Sequence, residues 1–301
     1  MTLQENDFHW DSDFESVRAF LGEIYRIQTS YTNWIPSEFE NVKYGPGGTE
    51  YLREEDEYLK MWRIGGKIIA VSYTQPSGSC NLSIHPKHTS EIKPIVQWME
   101  KRVRELAADD VKMSLAVDDE DSRFISYLAE SGFQQDELDG DIQIRPVDLP
   151  APSYNIPEGY SIRNAIMEED FDLYREVQKA VFPHIKTMSN PQLELYSEAS
   201  FYKPDLDIVA VGADANFAAF CTGRLDPVSR IAELEPVGTH PDHRKLGLAH
   251  AVICECLKRL ETNKPSDVVI IGAAPTEGAR RLYKSVGFVK QGTRHYWTKM
   301  L

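Results

Sequence analysis

Apolar positions recur at three- and four-residue steps in two separate stretches of the chain. One runs through Leu246, Ala249, Ile253, Leu257 and Leu260, the other through Ile95, Trp98, Met99, Val103 and Leu106. Each predicts a helix with one buried face. A Val- and Ile-rich strand follows the first (Asp267 to Ala274), and Val111 to Val117 follows the second. Each strand leads to a short helix stopped by glycine, Ala279 to Val286 before Gly287 and Ser122 to Ser131 before Gly132. Upstream, each stretch is preceded by a helix and a hairpin. These are Phe171 to Val181 with Ile208–Val211 and Phe217–Thr222, and Phe14 to Ile27 with Tyr58–Ile64 and Lys67–Tyr73. The pattern predicts two mixed α/β units, each an antiparallel run that turns parallel at a helix crossover.

Two landmarks fix the relation between the units. His-Pro-x-His occurs at His85–His88 and His240–His243, and Gly-Phe at Gly132-Phe133 and Gly287-Phe288. Pro86 to Phe133 and Pro241 to Phe288 are both 47 positions, and both landmarks are displaced by 155. A shared offset, with matching elements between the landmarks, indicates duplication. The seam is Arg145-Pro-Val-Asp-Leu-Pro-Ala-Pro152, followed by Pro157, a stiff extended linker. We therefore expect domains at 1–148 and 157–301, joined by 149–156. A chain of 301 residues suits two domains of ~100–200 residues each.

Composition narrows the function classes. The 42% hydrophobic content can build real cores. No apolar run approaches the ~18–20 residues of a membrane helix. Acidic residues Glu5, Asp7, Asp11, Asp13 and Glu15 at the N-terminus do not suit a signal peptide. Cys80, Cys221, Cys254 and Cys256 lack metal or redox spacing and read as buried thiols in a reducing cytoplasm. The net charge of −14 is uneven. Residues 1–150 hold 15 basic and 28 acidic side chains (−13), and residues 151–301 hold 18 and 19 (−1). No dense basic patch suggests nucleic acid. The acidic half reads first as a solvated surface, and secondly as a field attracting a cation.

Candidate chemistry lies in the second unit. Arg244-Lys-Leu-Gly-Leu-Ala249 opens an amphipathic helix, where unpaired N–H groups and the helix dipole favour an anion. Gly247 removes a Cβ that would block a phosphate. Taken alone, the string suits tight packing of a helix start equally well. Glu233 and Glu235 stand at i, i+2 on one face of a strand with apolar neighbours Ile231, Leu234 and Val237. Burial there would raise a carboxylate toward a base's working range. Each could instead bind an amine or pair with an arginine. His240 and His243 lack a third ligand at helical spacing, so helix capping is preferred to a metal, with His240 a remote alternative base.

Strand, Val237-Gly-Thr-His-Pro-Asp-His-Arg-Lys-Leu-Gly-Leu-Ala249, helix, strand, then Ala279-Arg-Arg-Leu-Tyr-Lys-Ser-Val-Gly-Phe288 resembles the GNAT superfamily of N-acetyltransferases. The motifs cover roughly residues 230–290, and the element order extends the likeness over 157–301. The tandem arrangement is similar to the mycothiol synthase group. The resemblance implies two tandem GNAT-like domains of α/β (α+β) class, each with a mixed, mostly antiparallel sheet flanked by helices. It implies acetyl-CoA as co-substrate and no metal. Backbone amides of Arg244, Lys245, Leu246, Gly247, Leu248 and Ala249 would hold the pyrophosphate. Val237, Gly238 and Thr239 would line the pantetheine arm. Thr276 stands where many members carry Asn, with a shorter reach. Tyr283 would protonate the leaving thiolate, and Glu233, with Glu235 second, would be the base for direct attack by an amine.

The first unit departs from this pattern. Thr89 replaces the arginine, Glu91 lies near the phosphate position, no glycine matches Gly247, and Leu128 replaces Tyr283. It reads as a degenerate, non-catalytic copy that braces the active half or completes the acceptor cleft. The acceptor would be the amine of a small molecule or peptide, and the −13 charge would help attract a cationic one. Loops from Phe182 to Ser200 and at the junction would shape its pocket. Other readings are a non-catalytic acyl-CoA sensor and a transferase of a longer acyl or an aminoacyl group.

Overall fold

A computed structural model describes residues 2–27, 31–45, 55–183, 188–273 and 276–301. In chain order the first half comprises β1 (Leu3–Asp7), α1 (Trp10–Ile27), α2 (Pro36–Tyr44), a turn of helix α3 (Glu55–Tyr58), β2 (Leu59–Ile64), β3 (Lys67–Thr74), β4 (Ser79–Ile84), α4 (Ile92–Leu106), β5 (Lys112–Asp118), α5 (Ser122–Glu130) and β6 (Gln134–Arg145). The second comprises β7 (Ser161–Asn164), α6 (Met167–Val181), α7 (Asn190–Ser197), β8 (Asp207–Val211), β9 (Phe217–Leu225), β10 (Ile231–Thr239), α8 (Leu248–Asn263), β11 (Asp267–Ala273), α9 (Glu277–Ser285) and β12 (Val289–Met300). From β5 onward the halves match element for element at the 155-residue offset seen in the sequence. β5 answers to β11, α5 to α9 and β6 to β12. Even a local cap repeats: His85 Nδ1 accepts from the Lys87 N–H, and His240 Nδ1 from the Asp242 N–H.

The strands form one continuous sheet in the order β1-β2-β3-β4-β5-β12-β6-β11-β10-β9-β8-β7. Pairing is antiparallel except at β4–β5 and β10–β11, where the helices α4 and α8 make crossover connections. The middle of the order is an exchange. β12, from the end of the chain, lies between β5 and β6. β6, from the first half, lies between β12 and β11.

Helices cover both faces. In the second half, Ile208 and Ala210 point to the core under α8 and α9, and Val209 between them points to the core under α6 and α7. In the first half, Trp62 joins the core under α4 and α5, and Met61 that under α1 and α2. Strand β9 is buried along its full length, which explains its run of small and apolar residues. All four cysteines are buried free thiols. Helix α8 begins at Leu248, so the expected apolar face shifts. Val252, Ile253, Cys256, Leu257 and Leu260 are buried, whereas Leu246 is exposed in the loop before the helix. The linker does not hang free. Ala151 N–H donates to Glu261 at 2.6 Å and Tyr154 to Glu255 at 2.8 Å, both on α8. Among the described residues no helix is long and apolar enough to cross a membrane.

Candidate active site

The site is built where two parallel strands part. β10 pairs with β11 only at Ile231, Ala232 and Glu233. Beyond that, β10 follows β9 to Thr239, while β11 follows β6 to Ala273. A bulge between Leu234 and Val237 turns β10 away, with Pro236 inside it. The result is a wedge with an unpaired strand edge on its β10 side.

Strand alternation identifies which groups face the wedge. His240 N–H donates to Ala218 on β9 at 2.9 Å. The main-chain groups of Gly238 therefore face β9 too, and those of Val237 and Thr239 face the wedge. The Arg244 guanidinium reaches the Thr239 carbonyl there at 3.4 Å. Gly238 has a separate reason to be glycine: a Cβ would meet the Phe220 ring at 2.6 Å and Val181 at 2.7 Å.

At the wide end lies the loop into α8. Arg244 to Gly247 are exposed, and no side chain caps the helix. Lys245 and Gly247 have positive φ (65° and 81°), the latter a conformation glycine adopts without penalty. A Cβ built on Gly247 would meet nothing within 4 Å. An uncapped helix start, open space over its glycine, and two exposed cations suit a pyrophosphate. The unpaired edge at Val237 and Thr239 suits an extended amide chain. The arrangement thus fits acyl-CoA on features of this chain alone. Thr276 has another engagement, since its hydroxyl caps α9 by accepting from the Ala279 N–H at 3.2 Å.

Where the wedge narrows it meets a cavity of about 410 Å³ between the halves. Glu233 and Glu235 both line it, but their surroundings differ. Glu233 is buried, accepts a hydrogen bond from Ser37 at 3.0 Å and pairs with Arg224 at 3.4 Å. Glu235 is exposed and lines the cavity. Desolvation raises it to about 7, opposed by nearby Arg224 and reinforced by Glu233. Tyr283 lies in the core on α9, its ring edge-on to Phe288 at 5.7 Å. Burial first, then the charge of Glu235, holds its phenol far above the usual range, hence protonated.

Several cavity residues were not anticipated. Arg224 sits on β9 directly opposite Glu233, and a lone arginine in an otherwise apolar strand was the available signal. Trp34, Glu38 and Asn41 come from the first half. Glu38 is raised mainly by burial, against the pull of Arg294 at 3.7 Å. Helix α2, which carries Glu38 and Asn41, has no strong apolar period to announce it. Phe182, Met188 and Tyr196 line the cavity as expected of the 182–200 stretch, of which residues 184–187 lie outside the described part.

Residues 167–288 match the model of the acetyltransferase (GNAT) family. A mycothiol acetyltransferase of Paenarthrobacter aurescens is 27% identical over 149 residues, 47% of this chain and 46% of that one, so the match spans about half the length of that relative. A GCN5-related N-acetyltransferase from Sphaerobacter thermophilus shares the fold at TM-score 0.71 and 16% identity, over 99% of this chain and 95% of that one. A tandem GNAT protein from the clavulanic acid biosynthesis pathway does so at 0.69 and 12%, over 99% and 98%. The family's match falls on the half that holds the splayed strands and the uncapped helix, so it is residues 167–288 that resemble the GNAT acetyltransferases.

Proposed function

We propose that the chain transfers an acetyl group from acetyl-CoA to a primary amine by direct attack, with one active site. Residues 157–301 carry the chemistry, and residues 1–148 supply a wall of the acceptor cavity. Arg244 to Ala249 hold the pyrophosphate, and the edge at Val237 and Thr239 aligns the pantetheine arm. Bound there, acetyl-CoA supplies the thioester carbonyl.

Glu235, rather than Glu233, is the base. Glu233 is held by Arg224 and Ser37, whereas Glu235 faces the cavity with a pKa near 7, suited to taking a proton at neutral pH. Wedge-facing main-chain N–H groups near Val237 polarise the carbonyl. As the N–C bond forms and the C–S bond breaks, Glu235 receives the amine's proton and Tyr283 gives its own to sulfur. Glu233 and Arg224 keep the wall in place.

The acceptor is cationic. Among the described residues, Glu38, Glu233 and Glu235 line the cavity with one guanidinium, that of Arg224, while Arg294 pairs with Glu38 at 3.7 Å, which leaves an acidic excess. Aromatic side chains of Trp34, Tyr174, Phe182 and Tyr196 give its remainder an apolar lining and favour an ammonium. The reaction belongs in the cytoplasm, where thiols stay reduced. The observation that carries this reading is the meeting of an open strand wedge with a cavity at Glu235. A thiol-release assay with acetyl-CoA and a panel of diamines, amino sugars, peptides and amino acids tests it. Release with cationic amines is expected, and acetyl-CoA binding without release from any amine would defeat it.

A further inference from the structure

The two halves treat the wedge between their parallel strands in opposite ways. In the second half it is open. In the first, β4 and β5 pair at Ser79–Ser114 and Cys80–Leu115 and then also part. Here residues 31–34 enter the gap. Asn33 donates its side-chain amide to the Ile84 carbonyl at 3.3 Å and accepts from the Ile84 N–H at 2.8 Å. On the other side, Thr32 accepts from the Asp118 N–H at 3.2 Å, and Tyr31 N–H donates to the Asp118 carboxylate at 2.7 Å. The strap therefore bonds to both strands.

Its register is informative. Ile84 stands 155 positions before Thr239. His85 N–H donates to Ile69 on β3, so Ile84, like Thr239, turns its main chain into the gap. Asn33 thus makes with Ile84 the pair of bonds that an extended ligand's amide would make with Thr239. The outer end is closed as well. The 3₁₀ turn Pro86–Glu91 runs straight into α4, with Ile92 at ordinary helical angles and Glu91 adding negative charge. Both helix starts lack a side-chain cap, but α4 has no left-handed residue to match Gly247.

The next residue gives the strap a purpose. Trp34 N–H donates to the Ser83 hydroxyl at 2.9 Å. Its ring lies 5.6 Å from Tyr73 and lines the acceptor cavity. We infer that residues 31–34 are an internal surrogate for the acyl-CoA arm: the first half binds no acyl-CoA, and its slot instead anchors Trp34 as a wall of the acceptor site. Asn33 is then a positioning residue that acts through Trp34. The second part rests on the function proposed for that cavity.

Equilibrium dialysis of the full chain against acetyl-CoA should find a single site, absent in Gly247→Asp. Aspartate is among the residues that adopt positive φ most readily and meets no neighbour within 4 Å, so backbone strain is its main cost while its charge opposes phosphate; a wild-type circular dichroism spectrum checks that the variant is folded. A second site in the wild type, or one surviving in Gly247→Asp, overturns the closure. No site in the wild type would agree with a closed first-half slot but sink the proposed function. With the best amine of the panel, Asn33→Ala and Trp34→Ala should each raise the acceptor KM about tenfold, with the acetyl-CoA KM and kcat unchanged. The double variant should lose no more than either alone. Additive losses, or a wild-type acceptor KM in Asn33→Ala, overturn the positioning role.

Discussion

The Ser37 hydroxyl, on helix α2 of the first half, donates to the Glu233 carboxylate on β10 of the second at 3.0 Å. Glu40, one turn on, accepts from the N–H and hydroxyl of Ser200 at 2.6 and 2.8 Å. The halves are thus joined by directed polar contacts beside the cavity, and a shift of α2 is felt at the site. The neighbouring Glu235 makes the first prediction possible. If it is the base, kcat/KM should rise with pH up to about 7 and then level off. Glu235→Gln should cost about 10²–10⁴-fold in turnover. A profile already flat at pH 5 would exclude Glu235.

The same carboxyl bears on stability with a definite sign. Its folded-state pKa is raised from 4.5 to about 7, so the folded chain binds the extra proton between those values. Stability from this group is therefore full at low pH and falls as pH rises through that window. Glu235→Gln should melt above the wild type at pH 8 and level with it near pH 4. Equal melting temperatures at pH 8 would show that water in the cavity relieves the carboxylate.

Tyr283→Phe keeps the ring in the core and removes the hydroxyl that carries the proton. Turnover should fall about 10²-fold or more with little change in acetyl-CoA affinity. Unchanged turnover would remove Tyr283 from the mechanism.

Arg224 and Glu233 form a buried pair, 6% and 3% exposed. Arg224→Met strands the Glu233 charge and should cost about 3–5 kcal/mol in denaturant unfolding. Adding Glu233→Leu should restore much of it, since an apolar pair needs no charge balance. A single variant as stable as the wild type would mean Ser37 alone satisfies Glu233.

Glu38→Gln tests the acceptor's charge. KM for a diamine should rise about tenfold, that for a monoamine much less, and acetyl-CoA KM not at all. Equal effects on both amines would remove Glu38 from recognition.

Much of this was legible in the residues. The 155-residue offset anticipated the matched elements, because duplicated chains keep apolar periods that their cores require. The i, i+2 spacing of Glu233 and Glu235 placed both on the cavity side. Their ranking was not legible, because it depends on Arg224 and Ser37, one across a strand and one from the other half. Helix α2 went unseen because its buried face includes Ser37 and Glu40 as well as Phe39, so no apolar stripe marks it. The strap was hidden for a related reason: Asn33 in a loop looks like any turn residue until Ile84 is beside it. The strand exchange was invisible too, since β6 and β12 are equivalent elements at the 155-residue offset and either could close either sheet.

That exchange has a consequence for how the chain is made. Strand β5 can complete its hydrogen bonds only when β12 arrives, and β12 is synthesised long after β5. The first half's final sheet is therefore completed only after the second half is translated, with the β5 edge open or provisionally paired with β6 until then. Most multidomain chains finish each unit as it emerges. Here the two halves close together, in one late event.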